Sequence, residues 1–329
     1  MTTEPFDLIT MGRVGVDLYP EQIGVPLAEV RTFAKSLGGS ATNVAVAAAR
    51  VGVRSAVITK VGDDPFGPYV RKALAEFGVD ARWVGTHPTL RTPVVFCEIF
   101  PPDDFPLLFY REPTAPDMTI TADELDLDAI RSARVFWTTG TGLSAEPSRT
   151  ATLTALAARD DSPPDAITIH DLDHRPQFWP PHPPQNRPNE SEAGRFAREA
   201  LAHATVAVGN REEVAVAVGT RDPHEASAAL LDLGVRVAIV KQGPAGVLVR
   251  TAEGLAEVPP VPVEVVNGLG AGDAFGGSLV YGLLAGWEPD RAVRLANAAG
   301  AHVAARLACA DDMPTLEELR AMLGEEALA

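Results

Sequence analysis

Short, almost wholly apolar runs bounded by turn-forming residues recur along the chain: FDLITMG (6–12), SAVITKVG (55–62), TPVVFCEIF (92–100), ARVFWTTG (133–140), DAITIHDLD (165–173), ATVAVGN (204–210) and VRVAIVKQG (235–243). Runs of this length without polar alternation predict strands buried on both faces, as in a parallel sheet. Stretches with apolar residues three and four apart, such as GPYVRKALAEFG (67–78) and PSRTATLTALAARD (147–160), predict helices between them. The alternation predicts an α/β fold in three layers, with a mainly parallel central sheet whose ligands bind beyond the carboxyl ends of the strands. Two segments break the rhythm. Residues 13–36 and 91–111 carry strand-like runs with no helix between them and predict a small β-sheet lying over the site as a lid. A third, RPQFWPPHPPQNRPNE (175–190), holds six prolines and reads as a surface loop. Because the rhythm resumes after it and no repeat of fixed period is visible, the chain reads as a single domain over 1–329 with the lid segments inserted.

Composition narrows the function classes. The 329 residues are 46% apolar and 22% charged, an ordinary globular balance, and no run approaches the roughly 18 apolar residues of a membrane span. The start, MTTEPFDLITMG, lacks a basic segment followed by an apolar one, so no signal peptide is read and the cytoplasm is expected. Cys97 and Cys309 are far apart and form no CxxC, which fits a reducing compartment. A formal charge of −16 opposes nucleic-acid binding. Small anionic substrates stay open, provided Arg, Lys or helix N-termini supply local positive charge.

The richest candidate for chemistry is NGLGAGDAFGG (267–277), five glycines around Asp273 at the start of the apolar helical stretch AFGGSLVYGLLAG (274–286). Gly270, Ala271 and Gly272 would form the first turn, where free amides attract anions and glycine lets a phosphate approach. Gly286 would end the helix. Asp273 as a mere helix-start carboxylate is the plainer reading. No G-x-G-x-x-G, G-x-x-x-x-G-K-[ST] or G-x-S-x-G fits, which removes the dinucleotide, P-loop and nucleophile-elbow readings. A carboxylate beside an anion hole suits phosphoryl transfer, with a base taking a proton from an attacking hydroxyl.

With these residues assembled, the chain resembles the ribokinase-like carbohydrate kinase family. GGSATNVAVAAARVG (38–52), VGDDPFG (61–67), NREE (210–213), KQGPAG (241–246) and GAGD (270–273) follow the family's motif order, and the likeness runs from about residue 7 to about 308. The resemblance implies a ribokinase-like three-layer sandwich with a small β lid, ATP and Mg²⁺ as cofactors, and Asp273 as catalytic base over an anion hole from Gly270, Ala271 and Gly272. It implies substrate contacts from Asp17 and Asn43, with Gly38 and Gly39 at the lid hinge. Asn210 and Glu213 would organise Mg²⁺ through water, Lys241, Gly243 and Gly246 would shape the nucleotide pocket, and Asn297 would lie near the adenine. Plainer roles stand beside these: a helix cap for Asn43, a surface position for Glu213 and a solvated strand end for Lys241. The chain departs from the family's D-T-x-G-A-G-D by carrying Asn267 and Gly268, which puts a monovalent-cation site in doubt.

Substrate class is carried by two further stretches. In IHDLDHRPQFW (169–179), strand alternation would put Asp171, Asp173 and Arg175 on one face, so that Arg175 could clamp a carboxylate or phosphate; His170 and His174 on the other face argue against zinc. FPLLFYRE (105–112) offers Arg111, and Lys35 lies in FAKSLGGSATN (33–43). Together with DLITMGRVGVDLY (7–19) and TGTGLSAEPSR (139–149), these stretches resemble a branch of the family that phosphorylates the 6-hydroxyl of 5-dehydro-2-deoxy-D-gluconate in myo-inositol breakdown. Kinases of 2-keto-3-deoxygluconate or fructose, and a non-catalytic sugar-acid binder, are the alternatives. The expected partners are a sugar acid and ATP, with no nucleic acid and no membrane; lid strands pair across a dimer in some relatives, which leaves a homodimer open.

Overall fold

The computed structural model describes residues 5–180 and 188–324. The chain divides into two compact units, one of Met1–Met11 with Met118–Pro260, the other of Gly12–Asp117 with Val261–Ala329.

In the first unit the strands Leu8–Met11, Val135–Thr139, Ile167–Asp171, Val206–Asn210 and Val237–Lys241 lie side by side and parallel, and Val247–Arg250 and Leu255–Val258 extend the sheet antiparallel. The apolar runs explain the arrangement. Every residue of Leu8–Met11 and Val135–Thr139 is buried, so both faces of the sheet are covered. Helices Glu192–Leu201, Arg211–Val218 and Pro223–Asp232 close one core around Leu172, Leu201, Val214, Leu230, Val240 and Leu248. Each helix starts on a side-chain cap: Ser191, Asn210 and Asp222 accept helix amides. The parallel strands end at one edge of the sheet, where Thr139 stands opposite Asp171 and Asn210 opposite Lys241. Of the proline-rich loop, Pro176–Phe178 and Pro188–Glu190 form single 3₁₀ turns, and residues 181–187 lie outside the described residues.

In the second unit Ser55–Gly62 pairs in parallel with Val84–His87. A separate four-stranded sheet runs in the order Phe33–Gly38, Gly15–Pro20, Val94–Cys97, Leu107–Tyr110, and its strands come from the two segments that broke the sequence rhythm. Helix Ser40–Arg50 packs on helix Ala271–Leu284 through small residues. A Cβ at Gly277 would lie 2.4 Å from the Ala47 Cβ and 2.5 Å from the Ala48 nitrogen, so the helices meet at backbone distance. Ala271–Leu284 ends as predicted: Gly286 has φ of +73°, its N–H donates to the Leu283 carbonyl, and Trp287 N–H donates to Gly282.

Candidate active site

Gly270 caps helix Ala271–Leu284 with φ of +81°, a conformation that favours glycine. Space imposes the same choice, since a Cβ there would lie 2.1 Å from Cys309 Sγ. The helical ladder begins with Asp273 N–H donating to the Gly270 carbonyl at 3.0 Å, so the amides of Ala271 and Gly272 precede it, as an anion hole requires. The Asp273 carboxylate is half-buried. Its Oδ2 accepts Asn43 Nδ2 at 2.9 Å and the Cys309 thiol at 3.8 Å. Burial, reinforced by Asp273 and Asp17, pushes the Cys309 pKa well up, so the thiol keeps the proton it donates.

Asn43 does not cap its helix. Gly39 occupies that position, and the Asn43 N–H donates to the Gly39 carbonyl. The side chain is 3% exposed, its amide committed to Asp273 and its Oδ1 buried without a hydrogen-bond partner. An unpaired buried acceptor costs about 1–3 kcal/mol, and a ligand hydroxyl would relieve it.

Asp17 stands in the smaller sheet opposite Ser36 and Val95. It accepts the Tyr19 hydroxyl at 3.2 Å, and a Cβ at Gly38 would lie 2.1 Å from its Oδ1, so glycine at 38 makes room for the carboxylate. Burial raises its pKa to about 6; the Arg13 charge and the Tyr19 hydroxyl oppose the rise, and Asp273 adds to it. Lys35 is exposed, with Nζ 3.7 Å from the Tyr69 ring centroid. Arg111 forms a two-point ion pair with Asp117, at 2.5 and 3.2 Å, and both side chains are almost wholly buried. Its charge is matched within the protein, unlike the open cation the sequence suggested. Asn297 is half-buried on helix Pro289–Ala304, one turn before Gly300, which abuts the Ala271 carbonyl.

The first unit holds the other predicted residues. Asn210 accepts the amides of Glu212 and Glu213 through Oδ1, both at 2.9 Å, and its own N–H donates to Glu213 Oε2 at 2.7 Å, a closed capping box. With Oδ1 engaged, Asn210 offers a ligand its NH₂, a donor suited to phosphate oxygen and not to a metal. Glu213 is buried, not a surface residue, and lines a small cavity with Leu172, His174 and Trp179. Lys241 stands next to Asn210 across the sheet, and Gly243 and Gly246 both take positive φ in the turn that follows.

The predicted alternation through Arg175 does not hold. The strand ends at Asp171, Asp173 turns the chain with φ of +28°, and Arg175 precedes a 3₁₀ turn, its Nη2 3.0 Å from Asp173 Oδ1. His170 is fully buried against the Thr138 hydroxyl, and burial lowers its pKa to about 4. Among the described residues no three His, Cys, Asp or Glu side chains are placed to hold a metal ion. The family departure also has a local account: Asn267 is fully buried, donating to the Leu307 carbonyl and accepting Leu269 N–H, while Phe105 occupies the space above Gly268. Sequence reasoning missed Arg13, Tyr19, Asp117 and Cys309. Arg13 was visible as a lone charge between apolar residues ahead of Asp17, whereas nothing near Cys309 marks it.

A 5-dehydro-2-deoxygluconokinase from Clostridium perfringens is 32% identical over 98% of this chain and 94% of its own. One of the same name from Photobacterium profundum is 34% identical over 96% and 94%. A Vibrio cholerae fructokinase solved with fructose, ADP and calcium superimposes with a TM-score of 0.82 at 26% identity, covering 97% of this chain and 99% of the other. Among the described residues no helix is long and apolar enough to cross a membrane. The pattern of the pfkB family carbohydrate kinases matches residues 6–316, and the chain belongs to that family.

Proposed function

We propose that the protein is an ATP-dependent sugar-acid kinase that phosphorylates the 6-hydroxyl of 5-dehydro-2-deoxy-D-gluconate in myo-inositol breakdown. The observation that carries the chemistry is Asp273: half-buried, at the amino end of its helix, and held through Oδ2 by Asn43 and Cys309. The substrate rests on the names of relatives at 32% and 34% identity.

In this reading the sugar's hydroxyls bind Asp17, Asn43 Oδ1 and the backbone at Gly38 and Gly39, with Lys35 and Arg111 serving the same side of the reaction and the smaller sheet acting as a lid. Asp273 takes the proton of the sugar's primary hydroxyl as the hydroxyl oxygen attacks the γ-phosphorus, the bond from that phosphorus to the β–γ bridging oxygen breaks and ADP leaves, and the amides at 270–272 stabilise the charge that develops. Asn210, Lys241, Gly243, Gly246 and Asn297 bind the nucleotide, and Arg175 helps to offset phosphoryl charge. Glu213 supplies a hard carboxylate oxygen, which fits a Mg²⁺ held mostly by water and phosphates. When bound, Mg²⁺ neutralises phosphate charge and helps to align the transferred group. A reaction that draws on ATP suits the cytoplasm. Exposed Leu108 and Tyr110 on the edge strand Leu107–Tyr110 suit pairing in a homodimer, which light scattering would read.

The test is a sugar panel read by coupled ADP release, with Asp273→Asn beside the wild type. Turnover on 5-dehydro-2-deoxy-D-gluconate should exceed that on 2-keto-3-deoxygluconate and fructose. The variant should lose on the order of 10²–10⁴ in kcat and keep its nucleotide affinity. Preference for another sugar would reassign the substrate; binding of the acid without ADP release would make the protein a non-catalytic binder.

A further inference from the structure

The proposed substrate brings a carboxylate to a region that already holds two, Asp17 and Asp273, which interact electrostatically. A third negative charge needs a cation close by. Lys35 is exposed and lies over the Tyr69 ring, and Arg111 is matched by Asp117. Arg13 differs from both. Its guanidinium carbon is 5.8 Å from the centroid of Phe109, in the smaller sheet. Its charge acts on the Asp17 carboxyl and on the Cys309 thiol, and that thiol touches the Gly270 position and bonds to Asp273. Phe109 stands opposite Val95, and Val95 opposite Asp17, so the guanidinium lies by the face of the smaller sheet that carries Asp17.

The backbone at Arg13 is fixed from several directions. Thr42 Oγ1 donates to the Arg13 carbonyl at 3.1 Å, and a Cβ at Gly39 would come within 2.4 Å of that oxygen. Val14 N–H donates to Asp117 Oδ2 at 3.0 Å, the carboxylate that Arg111 grips. The Arg111–Asp117 pair thus acts on the residue next to Arg13. A guanidinium has five donors in a plane and can serve Asp17 and a second carboxylate together.

We propose that Arg13 is the specificity-determining residue for an acidic sugar, its guanidinium binding the substrate carboxylate, with Arg111 and Asp117 as positioning residues that hold the 13–14 backbone. The inference rests on the sugar-acid reading above. It also gives a ground for preferring an acid to a neutral ketose: the guanidinium has planar donors that match the acid's carboxylate, a group the ketose lacks.

The experiment measures dissociation constants by calorimetry, without nucleotide, for 5-dehydro-2-deoxy-D-gluconate and its uncharged carboxamide. Wild type, Arg13→Met and Arg13→Lys are compared. Arg13→Met should weaken the acid on the order of 10²-fold and the amide less than about threefold, with Arg13→Lys between the two on the acid. Steady-state kinetics should place the loss in KM more than in kcat, with the KM for ATP unchanged. Equal losses on acid and amide, an unchanged affinity for the acid, or a loss confined to kcat would overturn the assignment and leave the sugar-acid reading standing. A wild type with no affinity for the acid would overturn both. If Arg13→Met does not fold, Arg13→Lys alone decides, because the proposal requires it to weaken the acid more than the amide.

Discussion

Asp17 carries a consequence that can be measured. Burial lifts its pKa to about 6 from 3.8, against the pull of Arg13 and Tyr19 and with the push of Asp273. Between those values the folded protein holds a proton that the unfolded chain has released. Stability therefore falls as pH rises through the window, and the penalty is fully present above it. Asp17→Asn should be more stable than wild type by about 1–3 kcal/mol at pH 8, with the gap closing toward pH 4, in urea denaturation at both values. Activity should move the other way: in the proposed role ionised Asp17 accepts a substrate hydroxyl, so wild-type kcat/KM should drop about tenfold per unit below pH 6, and the variant should lack that limb. A stability gap equal at both values would place the shift on another group. At this scale Asp17, Asn43 and Asp273 entered as candidates through motifs shared with the family, and the structure groups Asn43 with Asp273. Cys309 was not legible, because its tie to Asp273 spans 36 residues and depends on how the segment holding Cys309 packs against the first turn of helix Ala271–Leu284.

For the elements, apolar runs predicted strands well because a strand buried on both faces has no polar position to hide it. The end of Ile167–Asp171 escaped prediction for the converse reason: Asp171 and Asp173 are buried as well, so polarity does not mark where the strand stops. Helices Ser40–Arg50 and Ala271–Leu284 show an element setting a site, since one carries Asn43 and the other Asp273. Gly277→Ala would drive a methyl group into Ala47 and force the two helices apart. We expect a stability loss of about 1–3 kcal/mol. A fall in kcat should accompany it as the 2.9 Å bond from Asn43 to Asp273 lengthens. Ala47→Gly in the same chain should recover part of both, read by chemical denaturation and by turnover. Lost stability with normal kcat would mean that the Asn43 bond does not govern the base.

Taken whole, a chain of net charge −16 that takes ATP and, on the reading proposed above, a sugar acid can bind both only through local groups that outweigh the general field. The residues proposed for the two ligands are largely divided between the units. Asn210, Glu213, Lys241, Gly243 and Gly246 belong to the first, and Asp17, Asn43 and Asp273 to the second. Ligand stabilisation should therefore separate by substitution. A ligand at about 100 times its Kd adds roughly 2.7 kcal/mol to the folded state, enough to raise the melting temperature by several degrees. Glu213→Gln keeps an acceptor for the Asn210 N–H and removes the charge, so it should diminish the shift given by Mg·ATP and leave that of the sugar acid intact. Asn43→Ala should do the reverse. If either single variant removed both shifts, the ligands would be read by one shared set of groups, and the division of roles between the units would have to be abandoned.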